Sequence, residues 1–395
     1  MLIPTQTEAQ SKSYEILPSP DLWYNSVDGI KLGIRLRGQV PGTFEDGPHR
    51  LDASIWLNTW FPDLPVSYRL SYTEPITAWS DYGSEANVEF ISSVNTGYQV
   101  HGVGINKRWQ TGFDERRYKE LSFYNTFEKM FDDEYRAFRL LWSDQNKIIS
   151  TVTAEYQNDN PLGWYNVSLS GSLQYLNDPF GFANLTATQM VPLNDYWGFR
   201  FRGFIGAATS DSAPEYLFSR SSSPAIDKLD SGLTRARGTI PQGWIESGNV
   251  QIAGGPNLRG YTSQDVSGFF PCVNCFELRP ALFSSFASIN TEFDYLNPIE
   301  LIFEKIPYVS EFISFRSYLF FDAGKSLGTR EFESTDIFAD AGAGFSLSLN
   351  IPNYLGKPRG FVFRYELPLW LSDPGVGEDE FQVRHLFAIG AVISF

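Results

Sequence analysis

Apolar and polar side chains alternate along most of this chain in segments of eight to thirteen residues, the period-2 signature of strands with one apolar face. In residues 383–395, Phe387, Ile389, Ala391, Ile393 and Phe395 share one face, while Arg384, Ala388, Gly390 and Ser394 share the other. Residues 359–371 set Phe361, Phe363, Tyr365, Leu367 and Leu369 against Val362, Arg364 and Glu366. Residues 165–176 set Tyr165, Val167, Leu169 and Leu173 against Asn166, Ser168, Ser170 and Gln174. Turn signals then predict strands at 29–40, 50–60, 65–75, 86–94, 97–109, 117–128, 134–142, 147–157, 164–177, 180–191 and 196–208. After a long interruption come 286–295, 313–325, 337–350, 359–371 and 383–395, sixteen in all. An even count suits an antiparallel barrel with both termini on one side. Two readings compete: Tyr118–Trp142 has a helical look, and a water-soluble β-sandwich would alternate in the same way.

Composition narrows the choice. Aromatic residues make up 16 % of the chain and charged residues 19 %, the latter below the roughly 25 % usual in soluble domains, which favours strands with aromatic girdles. Mean hydropathy is −0.23, and no stretch approaches the roughly 18 consecutive apolar residues of a membrane-spanning helix. Hydropathy is neutral on a barrel, because lipid-facing and lumen-facing residues average out. The expectation is therefore an all-β fold, a 16-stranded antiparallel transmembrane β-barrel over residues 29–395, with residues 1–28 as a polar N-terminal segment. Short links such as 61–65 are expected to be periplasmic and longer ones such as 41–49 extracellular. Residues 209–285 make one long extracellular loop, far beyond the roughly 12–15 residues usual without secondary structure, and such loops are commonly functional.

The formal net charge of −15 speaks against a nucleic-acid partner, which needs clustered Lys and Arg. The N-terminus has no basic region followed by an apolar one, so it does not read as a secretory signal. Since a barrel must be exported, Met1 is expected to open a mature chain or the C-terminal part of a longer protein.

Within the long connection stands Gly254-Gly255-Pro256-Asn257-Leu258-Arg259-Gly260-Tyr261. Downstream come Phe320-Phe321-Asp322-Ala323-Gly324, then Gly342-Ala343-Gly344, then Tyr365-x-x-Pro368-Leu369 and a terminal Phe395. In order and spacing these resemble the outer-membrane assembly-factor and bacterial surface-antigen barrel superfamily, the BamA/TamA-like barrels, over roughly residues 250–395. The resemblance implies that the loop folds back into the lumen, where Arg259, within Arg259-Gly260-Tyr261, meets acids of the inner wall. By position those acids are Glu292 and Asp322. The parity of 286–295 agrees, because Glu292 shares a polar face with Ser288, Asn290 and Asp294. Two carboxylates on neighbouring strands repel, and a planar guanidinium satisfies both through directional hydrogen bonds as Lys cannot. Gly324, Gly342 and Gly344 belong to the barrel motif, the last two read as relieving crowding or allowing a strand to bend. Gly390, Ile393 and Phe395 fit an aromatic-ended insertion signal.

Cys272 and Cys275 lie on the same loop as Cys-x-x-Cys, which suits redox chemistry, half a zinc site or a disulfide. With no second ligand pair and with His49, His101 and His385 scattered, a structural disulfide in an oxidising compartment is favoured and free thiols are the alternative. No hydrolase or phosphate-binding motif occurs, so no catalytic residue, metal or cofactor is expected and the chain is not read as an enzyme.

The resemblance implies a role in protein insertion or translocation at the bacterial outer membrane, with outer-membrane lipid and polypeptide substrates as partners. Residues 1–28 are too short for one of the periplasmic substrate-receiving repeats typical of the family. Two alternatives therefore stay open. One is a C-terminal membrane anchor or translocation barrel of a longer protein with a phospholipase, peptidase or upstream periplasmic domain, and the other is a small-solute pore.

Overall fold

The computed structural model describes residues 13–25, 28–40, 48–60, 65–95, 97–110, 114, 116–131, 143–194, 196–224, 226, 250–252, 254–262, 269–272, 275–278, 281–298, 300–301, 313–327, 337–351, 359–375 and 377–392. Its strands are β1 (Glu15–Asn25), β2 (Gly29–Gln39), β3 (Arg50–Asn58), β4 (Val66–Pro75), β5 (Ser84–Asn95), β6 (Tyr98–Gln110), β7 (Tyr118–Met130), β8 (Lys147–Asn160), β9 (Gly163–Gln174), β10 (Phe180–Pro192) and β11 (Gly198–Ala208). The long connection carries three short strands, β12 (Val250–Ile252), β13 (Phe269–Cys272) and β14 (Cys275–Leu278). Then follow β15 (Ser285–Tyr295), β16 (Ile313–Ser326), β17 (Ile337–Ile351), β18 (Arg359–Leu371) and β19 (Leu386–Val392). No helix among the described residues is long and apolar enough to cross a membrane.

Sixteen of these strands form one antiparallel sheet in which each pairs with its neighbour in the chain. The pairing runs from β1 to β11, steps directly from β11 to β15, and continues to β19. The sheet is not closed: among the described residues no pairing joins β1 to β19. Instead β12 runs parallel to β19, with Val250 opposite Phe387 and Ile252 opposite Ile389. β13 and β14 form a separate hairpin.

The strand number agrees with the expected sixteen, although two of the strands differ. Residues 15–25, expected in a polar segment, form β1, paired along its whole length with β2. The predicted strand at 134–142 lies outside the described residues, but β7 pairs directly with β8, Phe123 opposite Val152, and leaves no place in the sheet between them. Tyr118–Met130 is a strand, which resolves the helical ambiguity there. The pairing also revises the sidedness of the links. Residues 59–65 and 209–284 both follow odd-numbered strands of the sheet and emerge at one end, the long-loop end. The first residue of β1, the last of β19, and the end of β2 with the start of β3 lie at the other, called here the termini end. Link length therefore misassigned 61–65, since it cannot lie opposite the long loop.

Side-chain exposure follows the alternation with inverted polarity. On β2, Ile30, Leu32, Ile34 and Leu36 are 37–54 % exposed, while Lys31 between them is 1 % exposed. The same holds on β16, where Leu319 and Phe321 face out while Tyr318, Phe320 and Asp322 are buried. The apolar face of these strands is thus turned outward and the polar face inward, the reverse of a sandwich core.

One irregularity matters for the interior. Ala341 pairs with Trp370 but Gly342 pairs with Pro368, so Leu369 is bulged out of register. Proline has no N–H for the ladder, and a bulge is where a strand interior tolerates it. The extra residue flips the side-chain parity, which turns Leu371 inward to full burial.

The direct β7–β8 pairing predicts that Phe123→Cys with Val152→Cys, in a chain whose two native cysteines are replaced by Ser, forms a disulfide on mild oxidation. Directly opposite residues hold their Cβ atoms about 4.5–5.5 Å apart. The check is a gel shift that reverses on reduction; no cross-link in the folded protein would place another strand between them.

Candidate functional site

The long connection folds back against the inner wall, and its anchor is Arg259. A turn at Gly254 and Gly255, both with positive φ, leads into Leu258 and a single 3-10 turn over Arg259–Tyr261. Arg259 is fully enclosed and meets three carboxylates from three strands. Its Nε and Nη2 donate to the two oxygens of Asp322 on β16, each at 2.7 Å. Its Nη1 donates to Glu292 Oε1 on β15 at 2.8 Å and to Glu366 Oε1 on β18 at 3.0 Å. The bidentate pair fixes the plane of the guanidinium and the two single bonds fix its rotation within the lumen.

The wall is built to receive it. Phe320 and Tyr318 lie on the inward face of β16, and the guanidinium carbon sits 4.0 Å from the Phe320 ring centroid and 5.9 Å from that of Tyr318. These rings lie over Gly342 and Gly344 of the next strand. A Cβ at Gly342 would stand 2.7 Å from the Phe320 ring and 2.1 Å from the Leu367 carbonyl oxygen; one at Gly344 would stand 2.5 Å from the Tyr318 ring. Gly324 likewise leaves room for the Phe286 ring. Of the two readings offered for Gly342 and Gly344, crowding is the one this geometry displays. Gly260 is small for a related reason, since a Cβ there would meet Asp340 and Leu371 at 2.8 Å.

Beyond Arg259 the charges continue as a network. Arg316 bridges Glu292 at 2.7 Å and Asp294 at 2.5 Å, Arg200 reaches Asp294 at 3.1 Å, and Arg364 lies 3.5 Å from Glu366. Tyr318 donates its hydroxyl to Glu366 at 2.7 Å. Arg202 donates to the Gly255 carbonyl at 2.8 Å, and Ser288 and Asn290 donate to the Pro256 and Asn257 carbonyls. The loop backbone is thus held by the same wall that holds its arginine. Asp340, directly opposite Asp322, is the exception: it is buried with no ion-pair partner among the described residues, and its polar neighbours are the Asp322 carboxyl and the Gly260 amide.

Tyr261 completes the anchor. Its hydroxyl donates to the Ala339 carbonyl at 3.1 Å, just past Asp340 and Leu371, where the β17–β18 ladder ends. Its ring packs edge-on to Phe338, and Arg220 lies about equally close to both rings. Burial pushes the Tyr261 phenol above its ordinary range, so it remains a donor. With Phe204, Phe218, Leu258, Phe283, Phe286 and Leu371 it forms the main apolar cluster, made largely where the loop meets the wall.

A second attachment was not anticipated. Early in the connection, Glu215 pairs with Lys147 of β8 at 3.0 Å, both buried. Tyr216 packs against Phe180 and Phe182 of β10 and against Ile149. Burial and the nearby Glu128 carboxylate push its phenol well up. These partners sit on β7, β8 and β10, on the other side of β11 from β15–β18, so the connection is tied to the wall across a broad arc of the sheet.

Of the other predicted residues, Gly390 lies on β19 opposite Val362, while Ile393 and Phe395 lie outside the described residues. Cys272 and Cys275 face each other in the β13–β14 register, with their side chains outside the described residues. The three histidines do not converge. His101 Nδ1 lies 2.9 Å from Ser92 Oγ, with no carboxylate among the described residues positioned behind the ring. Among the described residues no group of three or more His, Cys, Asp or Glu side chains stands where it could hold a metal ion.

No family model matches the sequence, and no curated protein matches it. Solved structures do. This chain is similar to two outer-membrane barrels. One is BamA from Haemophilus ducreyi lacking POTRA domains 1–3, with 15 % identity and a TM-score of 0.47, covering 96 % of this chain and 70 % of that one. The other is CdiB from Acinetobacter baumannii, with 13 % identity and a TM-score of 0.40, covering 96 % of this chain and 60 % of that one. A bacterial polysaccharide outer membrane secretin gives 10 % identity and a TM-score of 0.41, covering 96 % and 95 % of the two chains.

The cage predicts opposite responses from its two neighbouring aspartates. Asp322→Asn removes the bidentate acceptor of a buried arginine and is expected to destabilise by about 3–5 kcal/mol, less where lumen water reaches the site. Asp340→Asn replaces a buried carboxyl beside Asp322 with a neutral amide that can donate to it, so a change of less than about 1 kcal/mol is expected. Denaturant titration of the refolded protein separates the two, and equal losses would contradict the cage.

Proposed function

We propose that this chain is an outer-membrane β-barrel of the assembly-factor superfamily, acting in the insertion of proteins into that membrane or their translocation across it. The observation that carries this reading is Arg259, delivered by a folded-back loop to carboxylates on β15, β16 and β18. Three of the motifs that suggested the family, those around Arg259, Asp322 and Gly342-Ala343-Gly344, build this cage. Two further features support it. The belt of outward apolar side chains suits hydrocarbon, and the polar interior suits a water-filled lumen. Among the described residues β1 also pairs only with β2, which leaves an edge where an antiparallel polypeptide strand could pair, whereas the β19 edge is taken in part by β12. A freely open solute pore fits less well, because the long connection is fastened to the wall from β8 to β18.

In this reading the chemistry is non-covalent. The wall holds the loop, the loop narrows the lumen, and the β1 edge offers backbone donors and acceptors to a substrate strand. The decisive experiment reconstitutes the barrel in phospholipid vesicles and follows the folding of an unfolded outer-membrane β-barrel added from outside. At least a several-fold acceleration over empty vesicles is expected, reduced in Arg259→Ala. No acceleration, together with no passage of a secreted polypeptide, would leave an anchoring role.

Membrane insertion itself predicts an asymmetry between faces. Phe363, exposed on β18, should cost about 2–4 kcal/mol when replaced by Arg if it lies near the bilayer midplane. Thr153→Arg, on the inward face beside Ser170, should cost much less. Folding titrations into vesicles measure both; equal costs would count against a lipid-facing belt.

A further inference from the structure

The outward face of the sheet is almost free of charge, which makes its exceptions informative. Among the described residues, the outward strand positions carry four lysines, Lys107, Lys119, Lys129 and Lys325. Lys129 and Lys325 stand on separate strands at the long-loop end. Lys107 and Lys119 stand on adjacent strands, at the termini end. Lys119 is directly opposite Trp109, and Lys107 is two residues from Trp109 on the same face. Diagonal neighbours of this kind lie about 7–8 Å apart along the backbone, so two lysines flank Trp109 on an apolar surface.

Their surroundings are aromatic. Lys107 Nζ lies 5.3 Å from the Trp109 ring and donates to the Trp79 carbonyl at 2.6 Å. Lys119 Nζ lies 5.2 Å from the ring of Tyr156, which is opposite it on the next strand. Tyr156 in turn meets Tyr165 edge-on. Trp79 and Trp109 are 57 % and 42 % exposed. Neighbouring acids are otherwise engaged: Asp159 and Asp114 pair with Arg117. Asp81, within electrostatic reach of Lys107, is held below the ordinary carboxylate range first by the Gly83 amide and the Ser84 hydroxyl. Among the described residues no carboxylate forms an ion pair with Lys119.

We infer that Lys107 and Lys119, framed by Trp79, Trp109, Tyr156 and Tyr165, form a binding site for the phosphate headgroup of an anionic glycerophospholipid in the leaflet at the termini end. The lysine stems lie along the apolar belt while their ammonium groups reach the headgroup level. The rings mark the interfacial depth at which a phosphodiester sits. Among the described residues neither lysine forms an ion pair, so an anionic headgroup lying across Trp109 supplies the counter-charge that both lack. The site rests on the membrane reading above and adds a ligand class and a leaflet to it.

The test uses the full chain refolded with mixed phosphatidylglycerol and phosphatidylcholine, with retained lipids counted by native mass spectrometry. The wild type should retain phosphatidylglycerol in preference to phosphatidylcholine, and K107Q/K119Q should lose that preference by roughly tenfold or more. K129Q/K325Q removes the same charge elsewhere and should retain it. Inorganic phosphate at tens of millimolar should compete only weakly; complete displacement would mean a site for free phosphate and overturn the lipid assignment. No preference in the wild type, or equal loss in both double variants, would also overturn it. Insertion into pure phosphatidylcholine vesicles, read by heat-modifiable gel migration, is the independent control. Failure there would count against the membrane reading, whereas normal insertion without lipid preference would count against the site alone.

Discussion

A guanidinium shut away from water must find its counter-charges on groups already fixed in place, and much of this interior is arranged around that requirement. Arg259 obtains them from β15, β16 and β18, three strands that hold position only because the sheet between them is in register. The inward rings of Phe320 and Tyr318 cover its faces, and those rings need Gly342 and Gly344 across the ladder. Arg316, Arg364, Arg200 and Arg202 then keep the acids from repelling one another. A loop residue and the wall thus specify each other: the cage without the arginine is a crowd of buried carboxylates, and the arginine without the cage is an unpaired buried charge.

The usual location of apolar packing is reversed. The largest apolar surfaces face outward, and the buried apolar cluster arises where the connection meets the inner wall, through Leu258, Tyr261, Phe218 and Phe283. Cohesion of the interior is therefore due largely to a segment that contributes no long strand to the sheet. The bulge at Leu369 joins the two systems, because it ends the regular ladder and turns Leu371 toward Tyr261.

Much of this was legible from single side chains. Parity placed Glu292 and Asp322 on the inward face, and Arg259 lies between them. Glu366 sat on the same polar face of its strand, but alternation reports only the side and not the height, so its reach to Arg259 could not be read. The second attachment was invisible for a different reason: Glu215 and Lys147 are far apart in sequence, and no motif marks either. β1 was missed because Pro18, Ser19 and Pro20 interrupt its pattern, although an edge strand tolerates proline. The strand expected at 134–142 followed from short apolar runs that fit either period. Sidedness went astray at 61–65 because link length was used where strand parity decides.

The connection leaves β11 and returns to β15, which are neighbours in the sheet, and its outgoing and returning chains are bonded to each other at Phe218 and Phe283. It is therefore a long hairpin whose two ends leave and rejoin the sheet side by side. Withdrawing it breaks side-chain contacts and the short β12 pairing but unties none of the sixteen-strand ladder. In topological terms the loop is a stopper rather than a thread, and its exit demands no unfolding of the wall.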